Sequence, residues 1–516
     1  ENQIPNPAAS ARLASHRQGR IKSNNGAGHS TYRQIHIYQS YLTTYNKEAM
    51  MPYKDFREFL DFLDKKGELK TCRKEVDTEI EIAKITDKSS KVEGPAILFT
   101  NVKGYNTQVV TGLFGNLDRG FLMMDSNKYE AFNKVALAME NMIPLNLLKD
   151  GPCQEIVKVK NDIDLNEIPT LWHHRKDSHR FITTANCRVK DPVTKICNSS
   201  INRVAVLGKD RLTFQSNPPH QLAIIAKQYL EKGLKCPIAL SIGTDPSILV
   251  GSVCGVPPGT DEFEFAGGLR GAAVDVVKCL TSDIEVPAYS ELVIEGEIVP
   301  GDEDGLVGKT SYEFESPFCE IHGYFGMQAR SPVIQVTAIS HRKNYIYHGL
   351  GTAEPPSEHQ IFDAVGVQGD VYLAVKKAFP KLKIRAINAG SFAAIISMRK
   401  TEPGQARQLI EALLAKAGLK RVTVVDEDID VFNPTQVDWA IQFRSCADDY
   451  ILTSELPAIN LDPMISTPPN LLKKVGIDAT LPLKGDKTGV VEVLKDLGPA
   501  RYTDLDRLDL KDYIDI

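Results

Sequence analysis

The chain is missing the marks of several protein classes. It holds no C-x-x-C pair, and its nine cysteines, at 72, 153, 187, 197, 236, 254, 279, 319 and 446, are scattered and odd in number. That usage matches a reducing compartment and argues against structural zinc. It has no excess of positive charge: 61 Lys and Arg stand against 66 Asp and Glu, for a formal charge of -5 and a pI near 6.2. There is then no global electrostatic reason to bind nucleic acid or an anionic membrane. Uninterrupted apolar runs are short core-like segments such as Leu222 to Ala226 and Phe392 to Ile396, well below the length of a membrane span. No internal repeat or low-complexity tract is visible. What remains is small-molecule chemistry, expected in the cytoplasm, with neither nucleic acid nor membrane as partner.

At 516 residues the chain exceeds one ordinary core, so two or three domains are expected. Its 42% hydrophobic and 25% charged content is that of a globular protein. Residues 1–50 are rich in Arg, Ser, Asn and Gly with Glu1 and Glu48 as their only acids. They read as an N-terminal extension, either an organellar presequence or an upstream remnant before a start at Met50 or Met51. From 51 to 154 helical spacing (Phe56, Phe59, Leu60, Leu63) alternates with strand-like runs (Ala96 to Val102), which predicts an α/β domain. Residues 155–345 are mostly strand. Arg203-Val-Ala-Val-Leu and Arg211-Leu-Thr-Phe-Gln flank Gly208-Lys-Asp210 as in a hairpin, and one helix starts near Pro218-Pro219-His220 and stops at Gly233. A β-barrel with a helix at its mouth is expected there. Residues 346–484 alternate again as a C-terminal α/β domain, and 485–516 read as a helical docking tail. The fold class is therefore α/β (α+β). Asp426-Glu-Asp-Ile-Asp430 ends a buried strand, where either a functional loop or a plain solvated terminus is expected.

Chemistry concentrates in Glu315-Ser-Pro-Phe-Cys-Glu320-Ile-His-Gly-Tyr324, two carboxylates five residues apart around a Ser-Pro turn. Pairing two carboxyls with one cation keeps one ionised and leaves the other free to carry a proton. A candidate cation lies in Asn198-Ser-Ser-Ile-Asn-Arg203. Two further segments stand out, Pro218-Pro-His220 and Asp261-Glu262-Phe-Glu-Phe-Ala-Gly-Gly-Leu-Arg-Gly271. The glycines of the latter lack the G-x-G-x-x-G order and no clear strand and helix flank them, so they are not a nucleotide fingerprint.

In this order and spacing the four segments resemble the UbiD-type family of decarboxylases, which act on aromatic and hydroxyarylic acids with prenylated FMN. The resemblance runs from about Met51 to the C-terminal region. It implies a split barrel of the flavin-reductase-like kind for the central domain. It also implies that Asn198, His220 and Glu262 hold Mn²⁺ at the flavin phosphate, with K⁺ alongside. A carbonyl oxygen, an imidazole nitrogen and a carboxylate suit Mn²⁺ or Mg²⁺ better than a thiolate-loving metal. Glu264, on the other side of a segment read as extended, is a second candidate. Thr183 or Thr184, Ile201, Asn202, Ser252 and Cys254 fall where the family contacts flavin or potassium, and Lys400 matches its flavin-contacting lysine.

The resemblance also assigns catalysis to Arg203, Glu315 and Glu320. Arg203 would clamp Glu315 in its ionised form, while Glu320, in a drier place, would stay protonated as general acid. The cofactor carries the hard chemistry. CO2 leaves as electrons flow into the flavin, and Glu320 supplies the proton that replaces it. The chain departs from the family where Asp177-Ser178-His179 stands for a common Asp-Gly-Gly and Cys319 for a common Gly. Both changes put side chains near the substrate pocket. Trp172 to His179 is expected to form a basic loop facing the substrate carboxylate.

The expected function is reversible, non-oxidative decarboxylation of a hydroxybenzoate-like or α,β-unsaturated acid. A flavin prenyltransferase would supply the cofactor, and the chain would form a homo-oligomer, a dimer or a hexamer. Alternatives are decarboxylation of an aromatic dicarboxylate or its CoA thioester, an FMN-dependent reductase, or a non-catalytic subunit of a carboxylase assembly.

Overall fold

Phe56, Phe59, Leu60 and Leu63 fall on one face of a helix over Phe56–Lys65, and all four are buried. Asp55 caps its start by accepting from the Glu58 amide. A computed structural model describes residues 51, 53–216, 220–299, 312–326, 330–459, 461–465 and 469–483. The expected N-terminal extension, the 485–516 tail and the Pro218-Pro219 helix start lie outside the described residues. The N-terminal helix packs beside a sheet in the order Leu69–Cys72, Ala96–Phe99, Gln108–Thr111 and Ile346–His348. The last of these arrives from the far end of the central region and pairs in parallel with Gln108–Thr111.

The central region closes into a six-stranded barrel. Its strands are β1 (Phe181–Lys190), β2 (Cys197–Val206), β3 (Arg211–Phe214), β4 (Cys236–Ile242), β5 (Leu292–Ile298) and β6 (Arg330–His341). They run in the order β5-β4-β1-β2-β3-β6, and β5 pairs with β6 to close the ring. Closure removes the free edges that an open sheet would expose. The β2–β3 pairing of Val204 with Phe214 is the predicted hairpin. Helix α1 (Gln221–Leu230) follows β3, and α2 (Glu262–Arg270) packs against β2.

The α2 segment corrects the reading of 262–271 as extended. It is a helix that ends at Gly271 in the left-handed region, φ 74. Its glycines serve packing: a Cβ on Gly268 would stand 2.6 Å from the Ala138 carbonyl oxygen of helix Ala131–Glu140.

After the barrel, α3 (Glu358–Ala378) lies against a five-stranded sheet that includes β7 (Phe392–Arg399) and β8 (Leu419–Asp426). The acids at the end of β8 are structural. Arg444 binds Asp426 and Asp428 at 2.7 Å, and Asp430 accepts from the Tyr129 hydroxyl at 3.0 Å. Among the described residues no helix is long and apolar enough to cross a membrane.

Candidate active site

A β-bulge sets up the site. Ile182 pairs with Val204 and Ala185 with Asn202, so Thr183 and Thr184 together face the single Arg203. Both threonine hydroxyls donate outward from the barrel, Thr183 to Leu350 O at 3.0 Å and Thr184 to His348 O at 2.7 Å. These bonds tie the bulge to the strand that returns to the N-terminal sheet. Alternation along β2 then puts Ile201 and Arg203 on one face. Both line a cavity of about 180 Å³, together with Thr183, Phe318, Phe362 and Asp363.

Arg203 joins both glutamates. Its Nε and Nη2 meet Glu315 Oε1 and Oε2 at 2.6 and 3.0 Å, and its Nη1 donates to Glu320. Nη2 also donates to Gln215, and the guanidinium lies 5.2 Å from the centroid of the Phe318 ring. The two carboxylates hold its pKa above the ordinary arginine value despite burial. Sequence reasoning placed Glu320 in the drier position, but the reverse holds: Glu315 is fully buried and Glu320 is 7% exposed. Glu315 follows the strand Tyr312–Phe314 into the interior, whereas Glu320 sits on a tight loop. That loop is closed by Glu320 N to Tyr324 O at 2.9 Å and Gly326 N to Phe318 O at 3.0 Å. A Cβ at Gly326 would stand 2.6 Å from Glu320 Oε1, so the carboxylate would have to shift.

The Asp177-Ser178-His179 departure clamps this motif. Ser178 donates its hydroxyl to Glu315 O at 2.6 Å and its amide to Pro317 O at 2.9 Å. Asp177 accepts the amides of His173 and His174 at 3.1 and 2.7 Å. The basic character expected of this loop rests on the exposed Arg175 and Lys176 and not on its histidines. Burial lowers the pKa of His173 to about 3 and also lowers His174 and His179, so the imidazoles are neutral at pH 7. Burial raises Asp177 to about 7. Its folded pKa exceeds the unfolded value, so the stability it contributes is present below about pH 4 and is lost as pH rises to 7. Asp177→Asn should therefore raise the thermal midpoint at pH 8 by roughly 2 to 4 °C and leave it unchanged or lower at pH 4. Melting curves across pH check this.

Glu262 is the first residue of α2. Arg188 fixes that helix start through a two-pronged pair with Asp261 (2.9 and 2.7 Å) and lies 3.9 Å from the Phe263 ring centroid. Glu262 accepts from Asn198 Nδ2 and from the Ser199 amide, each at 2.7 Å. The Asn198 Oδ1 atom is buried without a hydrogen-bond partner, and burial raises Glu262 to about 7. An orphaned oxygen beside a desolvated carboxylate fits a hard divalent cation. Glu264 is half-buried on the same helix. His220 is exposed just before α1, and no hydrogen bond joins it to Asn198 or Glu262 among the described residues. No cluster of three His, Cys, Asp or Glu able to hold a metal occurs among the described residues.

The other expected cofactor residues divide. Ser252 accepts from Asn186 at 2.6 Å, and Cys254 is buried with its thiol pushed up to about 12. Asn202 donates to Ser200 Oγ at 2.9 Å. Lys400, at the end of β7, donates to Thr480 at 2.9 Å within the C-terminal sheet and is not among the residues lining the cavity. Sequence reasoning missed His359 and Asp363, one turn apart on α3 and both lining the cavity. Burial and the nearby charges of Arg203 and His322 lower His359 to about 4, and burial raises Asp363 to about 6. Their i,i+4 spacing on one helix face was the signal available.

The chain is a carboxy-lyase of the decarboxylase class, as its relatives are, and the arginine in its cavity wall is paired with two acidic side chains. Family models described as the N-terminal domain, the Rift-related domain and the C-terminal domain of 3-octaprenyl-4-hydroxybenzoate carboxy-lyase match residues 60–139, 146–355 and 369–479. The chain belongs to this UbiD family. It is 34% identical over 430 residues to an anhydromevalonate phosphate decarboxylase of Methanosarcina mazei, covering 82% of this chain and 96% of that protein. The UbiD-class enzyme HmfF of Pelotomaculum thermopropionicum, solved with FMN, matches with a TM-score of 0.78 at 34% identity over 89% of this chain and all of that one. A vanillic acid decarboxylase of Sedimentibacter hydroxybenzoicus matches with a TM-score of 0.76 at 29% identity, over 86% and 99% of the two chains.

Proposed function

We propose that the chain decarboxylates an aromatic, hydroxybenzoate-like or α,β-unsaturated carboxylic acid with prenylated FMN, and that Arg203, Glu315 and Glu320 are its catalytic residues. The observation that carries the reading is the single guanidinium shared between Glu315 and Glu320 at the wall of a cavity. Prenylated FMN supplies the electron sink for the bond to CO2. The protein's own part is positional and protonic. Arg203 holds Glu315 by its fork, which fixes the guanidinium plane. Its other edge holds Glu320, the more exposed acid, whose Oε would deliver a proton to the carbon that has lost CO2. Phe318, Phe362 and Val253 exclude water from that space.

Asn198 and Glu262, with His220, are the residues to hold Mn²⁺ or Mg²⁺. The support is the free Asn198 Oδ1 atom next to the Glu262 carboxylate. Thr183, Thr184, Ile201, Asn202, Ser252 and Cys254 would line the flavin and K⁺ sites, and Lys400 would reach the flavin only if the C-terminal sheet closes on the barrel. Glu262→Gln and His220→Ala should each lower bound Mn²⁺ at least tenfold by elemental analysis; full metal content in either variant removes that residue from the site. A homo-oligomer in the cytoplasm, loaded by a flavin prenyltransferase, completes the reading.

The experiment is co-expression with a flavin prenyltransferase, followed by mass and absorption spectra of the released small molecule. Prenylated FMN is the expected result. Plain FMN, with no CO2 released from any acid tried, overturns the reading. The Methanosarcina mazei relative, whose name gives it a phosphorylated, non-aromatic substrate, makes such acids the second class to screen.

A further inference from the structure

Glu320 rides on a hairpin that is pinned at its tip. Cys319 and Phe325 form a β-bridge, Glu320 N donates to Tyr324 O at 2.9 Å, and Gly323 N donates to Glu320 O at 2.8 Å. Ile321, His322 and Gly323 therefore make a three-residue hairpin loop, with Gly323 in the left-handed region at φ 81. Two side-chain bonds hold this loop. Gln360 Nε2, on α3, donates to the Ile321 carbonyl at 2.7 Å, and the Tyr324 amide donates to His322 Nδ1 at 3.1 Å. The second bond fixes the state of the imidazole. A backbone amide only donates, so Nδ1 carries a lone pair and the ring proton sits on Nε2. That leaves Nε2 for the Leu461 backbone, with which the ring also hydrogen-bonds. Half-buried His322 thus joins the Glu320 hairpin to the C-terminal region.

Protonation does not fit this arrangement. An imidazolium carries N–H on both nitrogens, and Nδ1–H would face the Tyr324 N–H. Burial lowers the pKa of His322. The charges that face it are divided: Glu320 on its own hairpin and Asp462 favour the protonated ring, and Lys420 on β8 opposes it. Lys420 and Asp462 pair with each other at 2.9 Å, and His359 on α3 is neutral at pH 7. His322 is accordingly neutral at pH 7. Its bond to the Tyr324 amide is lost as pH falls from the ordinary histidine value of about 6.5 through the lowered one.

We propose that His322 is a positioning residue for the decarboxylation: its neutral imidazole clasps the hairpin that carries Glu320, and protonation of the ring releases the proton donor. This rests on the decarboxylase reading and adds to it an acid limit that belongs to neither Glu315 nor Glu320.

The test compares wild-type holoenzyme with His322→Ala and His322→Asn. Asn Oδ1 stands in the place of Nδ1 and accepts from the Tyr324 amide without titrating, whereas Ala offers no acceptor. Hydrogen exchange at pH 7.5 is read on a peptide spanning residues 319–326 and corrected for side-chain effects on the intrinsic rate. The Tyr324 amide should exchange about three- to tenfold faster in His322→Ala and return toward the wild-type rate in His322→Asn. In the same samples kcat for CO2 release should fall by about the same factor in His322→Ala and recover in His322→Asn. From pH 7.5 down to 4.5 the ratio of wild-type kcat to that of His322→Asn should also drop about three- to tenfold. Titrations of Glu315, Glu320 and the cofactor cancel in that ratio. Melting curves confirm that both variants are folded at each pH. Unchanged exchange in His322→Ala overturns the clasp. Faster exchange with unchanged kcat, or a flat ratio, overturns its role in positioning the donor. Release of CO2 from no acid by the wild type is instead a failure of the decarboxylase reading, and exchange then still decides whether the clasp exists.

Discussion

Glu320→Gln abolishes product formation and solvent-deuterium incorporation, with a loss of about 10²- to 10⁴-fold or more in kcat, while cofactor and metal content stay near wild type. The amide keeps an oxygen for Arg203 Nη1 and nearly the volume of the acid, so the loop closed by Tyr324 and Gly326 has no reason to open. What the variant lacks is a transferable proton beside Arg203. Product analysis in D2O, run beside a flavin assay, separates lost chemistry from lost cofactor. Full turnover by the variant would remove Glu320 from the mechanism. Gly326→Ala should reproduce part of the loss, because its Cβ would stand 2.6 Å from Glu320 Oε1 and displace the acid.

Arg203→Ala has the larger effect on the fold. It removes the only ion-pair partner that Glu315 and Glu320 have among the described residues, and leaves two buried carboxyls close together. Removing one member of a buried charged network costs about 3–5 kcal/mol, so a large drop in denaturant midpoint accompanies loss of activity. The variant should recover stability as pH falls, because protonating either acid relieves the unpaired charge. Arg203→Lys restores the charge without the fork and should regain stability more than turnover. Equilibrium unfolding at pH 5 and pH 8 checks both claims; an Arg203→Ala protein as stable and as active as wild type would dismiss the shared clamp.

Much of this was legible from local pattern. The amphipathic helix of Phe56 to Leu63 and the hairpin around Gly208 to Asp210 follow from spacing and turn residues, which act over a few positions. The clustering of Arg203 with Glu315 and Glu320 was legible too, because a cation and two acids flanking a Ser-Pro turn form a chemical pattern before they form a geometric one. Glycines misled where their reason was remote: Gly267 and Gly268 stand in a segment read as extended but belong to α2, where Gly268 admits the backbone of a neighbouring helix at Ala138. The histidines of 173–179 read as basic, yet burial, which no local pattern states, leaves them neutral.

By itself, then, the sequence determined the chemistry available: the two acids, the arginine, the oxygen-rich donor pair of Asn198 and Glu262, and the order of elements that present them. Only the tertiary structure decided how they are used. It set the bulge that turns Thr183 and Thr184 toward the returning strand, the deeper burial of Glu315 over Glu320, and the clamp of Ser178 on the catalytic turn. It also brought His359 and Asp363 to the site from more than a hundred positions beyond β2. The reason is physical: propensity and periodicity act between near neighbours, whereas burial, register and cavity shape arise when distant segments exclude water together.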